Sequence, residues 1–203
     1  MKDVLKYILC FAGIILAVLA IYFGSYAPLH KAQLYIDALR QTSSVSTVKQ
    51  FEDLFDPVFN FYSPIGNEEV PKFLSSDIVG ILNSNRVGSE DVAKALVDYI
   101  EPHMLQDNVR HLLSLGYMYE ALWKKFQKDE YYNKAESYYL KVVQIGPTLP
   151  PGLYSLANLY QERGDQQKLF GVVGKILQYW PDALGNKQPA PVPASSTASS
   201  AKK

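Results

Sequence analysis

Residues 112–119 read Leu-Leu-Ser-Leu-Gly-Tyr-Met-Tyr, and residues 153–160 read Leu-Tyr-Ser-Leu-Ala-Asn-Leu-Tyr. The shared frame is Leu112, Leu115, Gly116 and Tyr119 in one copy, and Leu153, Leu156, Ala157 and Tyr160 in the other. Positions i, i+3, i+4 and i+7 lie on one face of a helix. A small residue on that face lets a second helix approach closely, and a tyrosine fills the space beside it. Downstream, Ala135, Tyr139, Val142 and Pro147 are answered by Leu169, Val173, Ile176 and Pro181, each 34 residues on. The Leu and Tyr positions are 41 apart. The two offsets agree if the first copy carries seven extra residues between its helices, within 123–130. Gly164-Asp165 turns the second copy, with Asp165 able to cap the next helix, and Pro147 and Pro181 stop the closing helices.

This pattern resembles the tetratricopeptide repeat, a pair of antiparallel helices in 34 residues closed by proline. The resemblance covers two units within 107–183 and implies an all-α fold, a right-handed α-solenoid of helical hairpins. Leu169 departs from it, standing where the family usually has alanine. Two units are few for a stable stack. The helical region 30–106 is therefore expected to extend it, as degenerate repeats. In this family the first helix of each unit lines a concave groove. That register implies partner-binding positions at Arg110, Tyr117 and Glu120 in one unit, and Tyr154, Asn158 and Gln161 in the other. The set is aromatic and polar with few charges, and it lacks the basic clamp used for C-terminal carboxylates.

Upstream, Ala32, Leu34, Tyr35, Ala38 and Leu39 predict a helix over 29–41. Val48, Phe51, Leu54 and Phe55 predict another, ended or kinked by Pro57. Ser63-Pro64-Ile65-Gly66-Asn67 reads as a turn. Asn67 is then expected to cap a helix that buries Phe73, Leu74, Ile78, Ile81 and Leu82. Asn83-Ser84-Asn85 and Gly88 break that helix. Ser89 opens one that buries Val92, Leu96, Val97 and Ile100.

From Tyr7 to Leu29 no side chain is charged. As a helix these 23 residues reach about 34 Å, against a hydrocarbon core of about 30 Å. The run is apolar all round, and Tyr7, Tyr22 and Tyr26 sit at its ends, where aromatic rings favour headgroups. It is too long for the core of a cleaved signal peptide, and Ser25-Tyr26-Ala27-Pro28 is a poor cleavage context. Residues 7–29 are thus expected to be a transmembrane helix in contact with the lipid bilayer, behind a short segment 1–6. Lys2 and Lys6 mildly favour a cytoplasmic N-terminus with the C-terminal domain outside. Gly13 and Ala17 form a small-x-x-x-small pair, which leaves a dimer open.

The segment 184–203 is rich in Pro, Ala and Ser and is expected to be disordered. With 20 basic and 20 acidic residues the chain has no basic excess for nucleic acid. Cys10 is the single cysteine. His30, His103 and His111 do not form a ligand set, so no metal and no cofactor are expected. Glu68-Glu69 and Glu90-Asp91 fit first-turn helix charges better than a catalytic pair. Lys124, Lys125 and Lys128 read as a solvated basic face. No catalytic residue is assigned and an enzyme is not expected.

A second resemblance runs along the chain to the tail. A membrane helix, an aromatic-proline step, Ser63-Pro64-Ile65-Gly66-Asn67-Glu68-Glu69 and then repeats are similar to the C-terminal part of bacterial O-antigen ligase and polymerase-type membrane proteins. Their many membrane helices and catalytic loop have no counterpart here. The resemblance implies a bacterial envelope setting without transferring the activity. The function is then expected to be one of two. One is a membrane-anchored scaffold that binds a protein or peptide through a repeat groove. The other is an accessory or detached fragment of an envelope-polysaccharide enzyme system.

Overall fold

The computed structural model describes residues 2–84 and 87–184, and no strand occurs among them. The predicted tail from 185 onward lies outside the described residues. Leu184 belongs to a last 3₁₀ turn, Pro181–Leu184.

The chain begins with α1, Lys2–Ile21, part of a continuous helix, Val4–Ser44, that is long and apolar enough to cross a membrane. Every described side chain from Val4 to Tyr26 is exposed. A π-helical turn, Tyr22–Tyr26, leads without a break into α2, Ala27–Gln41. Pro28 lies inside this continuous rod and lacks the N–H that would bond back along it. The π turn directly before it, in which Ala27 N–H reaches Tyr22 C=O, is where the rod departs from regular α geometry. Ala27, Lys31 and Ala38 form the buried face of α2.

Thr47 caps α3, Val48–Asn60, by accepting from Gln50 N–H at 3.2 Å. The helix runs through Pro57. A proline inside a helix costs about 3 kcal/mol. Phe55 and Val58 flank it with no exposed surface. Full burial of such side chains contributes about 1.5–3 kcal/mol each, enough to hold the helix together past the proline.

Helix α4, Glu69–Asn83, and α5, Glu90–Ile100, follow. Val70, Leu74, Ile78 and Leu82 make the buried stripe of α4, whereas Phe73 is half exposed. In α5, Ala93 takes the inward place expected for Val92, which turns outward. Asn67 does not cap α4. Its side-chain N–H donates to Ser63 C=O and its oxygen accepts from Lys31 Nζ, both at 2.5 Å. The amide is thereby used up in tying the 61–67 turn to α2.

The last four helices are α6, Val109–Phe126; α7, Asp129–Ile145; α8, Pro150–Arg163; and α9, Gln166–Tyr179. Each packs on the next, and α6 also packs on α4. Gly116 lets α7 approach α6, since a Cβ there would overlap Cε1 of the Tyr139 ring. Gly152 does the same between α8 and Val142 of α7. Asp165 caps α9, accepting from Lys168 N–H at 3.1 Å, after Gly164 turns with φ 80°.

The seven extra residues are helix. Helix α6 has 18 residues against 14 in α8, and α7 has 17 against 14 in α9. Four residues lengthen α6 at its end and three lengthen α7 at its start, about one turn each. Both hairpins keep a two-residue turn, made left-handed by Gln127 and Gly164.

Candidate functional site

Phenols that donate to carboxylates tie α6 to α7, and both of these to α5 and the residue after it. Tyr119 and Tyr138 both donate to Glu101, Tyr131 donates to Glu90 at 2.6 Å, and Tyr139 donates to Glu120 at 2.5 Å. Burial, reinforced by these carboxylates, raises the ionisation of Tyr119, Tyr131, Tyr138 and Tyr139 well above the usual phenol range. A phenol kept neutral and bonded in this way stitches helices together and is unsuited to acid–base turnover near neutrality. His111 plays a similar part. Leu105 N–H donates to its Nδ1 at 2.8 Å, so Nε2 carries the hydrogen and donates to Glu68 C=O, also at 2.8 Å.

Of the lysines expected to form a solvated face, Lys124 and Lys128 are exposed and Lys125 is half-buried, and each also holds a partner. Lys124 pairs with Glu120 at 2.7 Å and Glu162 at 2.9 Å. Lys125 donates to the carbonyls of Leu82 and Ser84, closing the end of α4, and Lys128 pairs with Glu90 at 2.6 Å. Glu90 is held below the usual carboxylate range by Lys128 and then by Tyr131.

Among the expected groove positions, Tyr117, Tyr154, Asn158 and Gln161 are exposed on α6 and α8. Tyr117 and Tyr154 are held in place. Ser155 Oγ donates to Tyr117 Oη at 3.2 Å, and the Tyr117 ring meets Tyr139 edge-on with centroids 5.7 Å apart. Tyr154 stacks on Trp180 at 6.3 Å. Two positions behave differently. Glu120 is buried, because Tyr139 and Lys124 satisfy its carboxylate and Lys124 bridges it to Glu162 of α8. The equivalent Gln161 lacks such a cover and stays exposed. Arg110 lies two turns before Tyr117 and lines a separate polar cleft with Glu68, Glu69, Lys72, Asn108 and His111.

The structure adds residues that the repeat register misses. Ser75, Ser76 and Val79 of α4 line a cleft of about 140 Å³ with Ser114 and Tyr117 of α6. Helix α4 carries no legible repeat signature, so nothing in the sequence places it beside Tyr117. Trp180 follows α9 and is legible only as an aromatic before Pro181. The repeat-structural positions Leu112, Leu115, Gly116, Tyr119, Ala135, Leu153, Leu156, Ala157 and Tyr160 are all buried, while Gly164, Pro147 and Pro181 lie at exposed turns. Chemically this face offers two fixed aromatic surfaces, several hydroxyls and two amides. Among the described residues, no cluster of His, Cys, Asp and Glu could hold a metal ion. Comparison with family models, curated proteins and solved structures gives no match.

Proposed function

We propose that the chain is a membrane-anchored scaffold that binds a partner protein or peptide along the face shared by α4, α6 and α8. The charge-free stretch 7–29 is the anchor, and tetratricopeptide-like hairpins carry the face. The observation that supports this reading most directly is the pair Tyr117 and Tyr154, 42% and 43% exposed yet fixed by a hydrogen bond and a ring stack. Large aromatic side chains that lose little freedom on binding serve as interface anchors, because most of their ordering cost is already met. The face has few charges, which suits a polar-aromatic peptide surface over a terminal carboxylate. The lysines at positions 2 and 6 favour an orientation with the repeats outside the cytoplasm.

Site-specific photo-crosslinking in membranes tests the reading. A photoreactive residue at 154 or 158 should give a discrete adduct, which Tyr117→Ala weakens severalfold. The same residue at Asn133, exposed on α7, should give none. Identical adducts from 133 and 154 would remove the proposed face.

A further inference from the structure

The turn 61–67, Phe-Tyr-Ser-Pro-Ile-Gly-Asn, carries no charge. Its Tyr62 and Ile65 are 71% and 59% exposed, a poor arrangement for water-facing residues in a turn that is otherwise well anchored. The anchoring is specific. Lys31 Nζ donates to Phe61 C=O at 3.1 Å and to Asn67, and Ser63 Oγ, fully buried, donates to Ile65 C=O at 2.7 Å. Lys31 follows the charge-free stretch by only two residues, so the turn is fastened where the rod leaves its apolar segment.

Aromatic contacts continue down that rod. Phe61 meets His30 edge-on at 4.9 Å, and His30 stacks on Tyr26 at 5.7 Å. Tyr62 meets Phe23 edge-on at 6.4 Å. Phe23 lies six residues inside the end of the charge-free stretch at Leu29, about 9 Å along a helix. The headgroup layer on each side of a bilayer is roughly 5–8 Å thick. A ring that touches Phe23 therefore lies at headgroup depth or below, if the span is where its composition puts it. Aromatic rings favour that depth.

We infer that the turn 61–67 is a second membrane contact, in which Tyr62 and Ile65 seat in the phospholipid headgroup layer of the leaflet from which the rod emerges. The inference rests on reading the charge-free stretch 7–29, which runs from α1 into the start of α2, as the bilayer span. The continuity of the turn with that span selects a lipid surface as the occupant. The contact sets the domain's tilt: one helix alone would let the repeats swing, and a second foot clamped by Lys31 holds them.

The test uses the full chain with Cys10→Ser, reconstituted in phosphatidylcholine vesicles, with a nitroxide at one introduced cysteine. Ile65→Cys and Tyr62→Cys probe the turn, Leu16→Cys reports the span, and Ser137→Cys on α7 reports water. Collision rates with oxygen and with a polar nickel chelate are compared. Labels at 62 and 65 should collide with nickel severalfold less than 137 and relatively more with oxygen, between the values at 137 and 16. Labels at 62 and 65 that match 137, while 16 stays lipid-protected, would overturn the inference and leave the span intact. A nickel-accessible label at 16 would overturn both. Spin–spin broadening at 62 and 65 with protection from both reagents would mean a second copy covers the turn, and would also overturn it.

Discussion

At the scale of single residues, the close approach of α6 and α7 depends on what Gly116 lacks. A methyl group there would meet three atoms of the Tyr139 ring within 3 Å, and that ring is fully buried and bonded to Glu120. The ring cannot move away without breaking its hydrogen bond. Gly116→Ala should therefore destabilise the protein by about 1–3 kcal/mol despite alanine's better helix propensity. Gly171→Ala on α9 meets nothing within 4 Å and should stabilise by about 0.5–1 kcal/mol. Urea unfolding of both variants, followed by circular dichroism in detergent, measures the difference. Equal effects would mean that the α6–α7 approach is looser than described. The role of Gly116 is legible in the sequence from its spacing to Leu115 and Tyr119. That of Glu120 is not, since a glutamate at a groove position reads as solvated until Tyr139 and Lys124 are seen to satisfy it. Asn67 misleads for a related reason. Its spacing suits a cap, but a lysine 36 residues earlier takes its oxygen.

At the scale of elements, periodicity locates the helices well and proline placement less well. Leu74, Ile78 and Leu82, and Leu96, Val97 and Ile100, lie inward as their spacing requires. The seven added residues illustrate what spacing leaves out. An offset of 41 against 34 is the same whether the surplus forms a loop or a turn of each helix, and only packing against Trp123 and Tyr131, both buried, decides for helix. Pro57 makes the opposite point, since local chemistry says stop and the burial of Phe55 and Val58 says continue. Replacing it tests which of these dominates. Pro57 is exposed, so Pro57→Ala removes no buried contact and restores an N–H donor inside α3. The variant should be more stable by about 1–3 kcal/mol, read from its thermal midpoint. A lower midpoint would show that the backbone geometry fixed by this proline is needed to seat Phe55 against Tyr35 of α2.

At the scale of the whole molecule, many of the chain's fifteen tyrosines tie one helix to another. Their number is legible, but their carboxylate partners are not, because Glu101 lies 18 and 37 residues from the two phenols that it accepts from. These pairings make stability depend on alkaline pH in a definable direction. Tyr35, Tyr99, Tyr119, Tyr131, Tyr132, Tyr138, Tyr139 and Tyr160 are all raised above the ordinary value of 10.0, first by burial and then, wherever a carboxylate lies beside the ring, by that carboxylate. Above pH 10 the unfolded chain loses these protons while the folded chain keeps them. The unfolded state then binds fewer protons, so stability falls with rising pH. This contribution is fully present below the unfolded value and is lost on the alkaline side. Lys31 has the opposite sign, since burial lowers its value below 10.5 and its share improves as pH rises toward that value. One lysine opposes eight phenols, so the net slope above pH 10 should be negative and steep. In a titration of the full chain in detergent, tyrosinate absorbance from this group should rise together with the loss of helical circular dichroism, as one cooperative step. Ionisation of nearly all fifteen tyrosines with the helical signal intact would show that the phenol–carboxylate pairs do not hold the hairpins together.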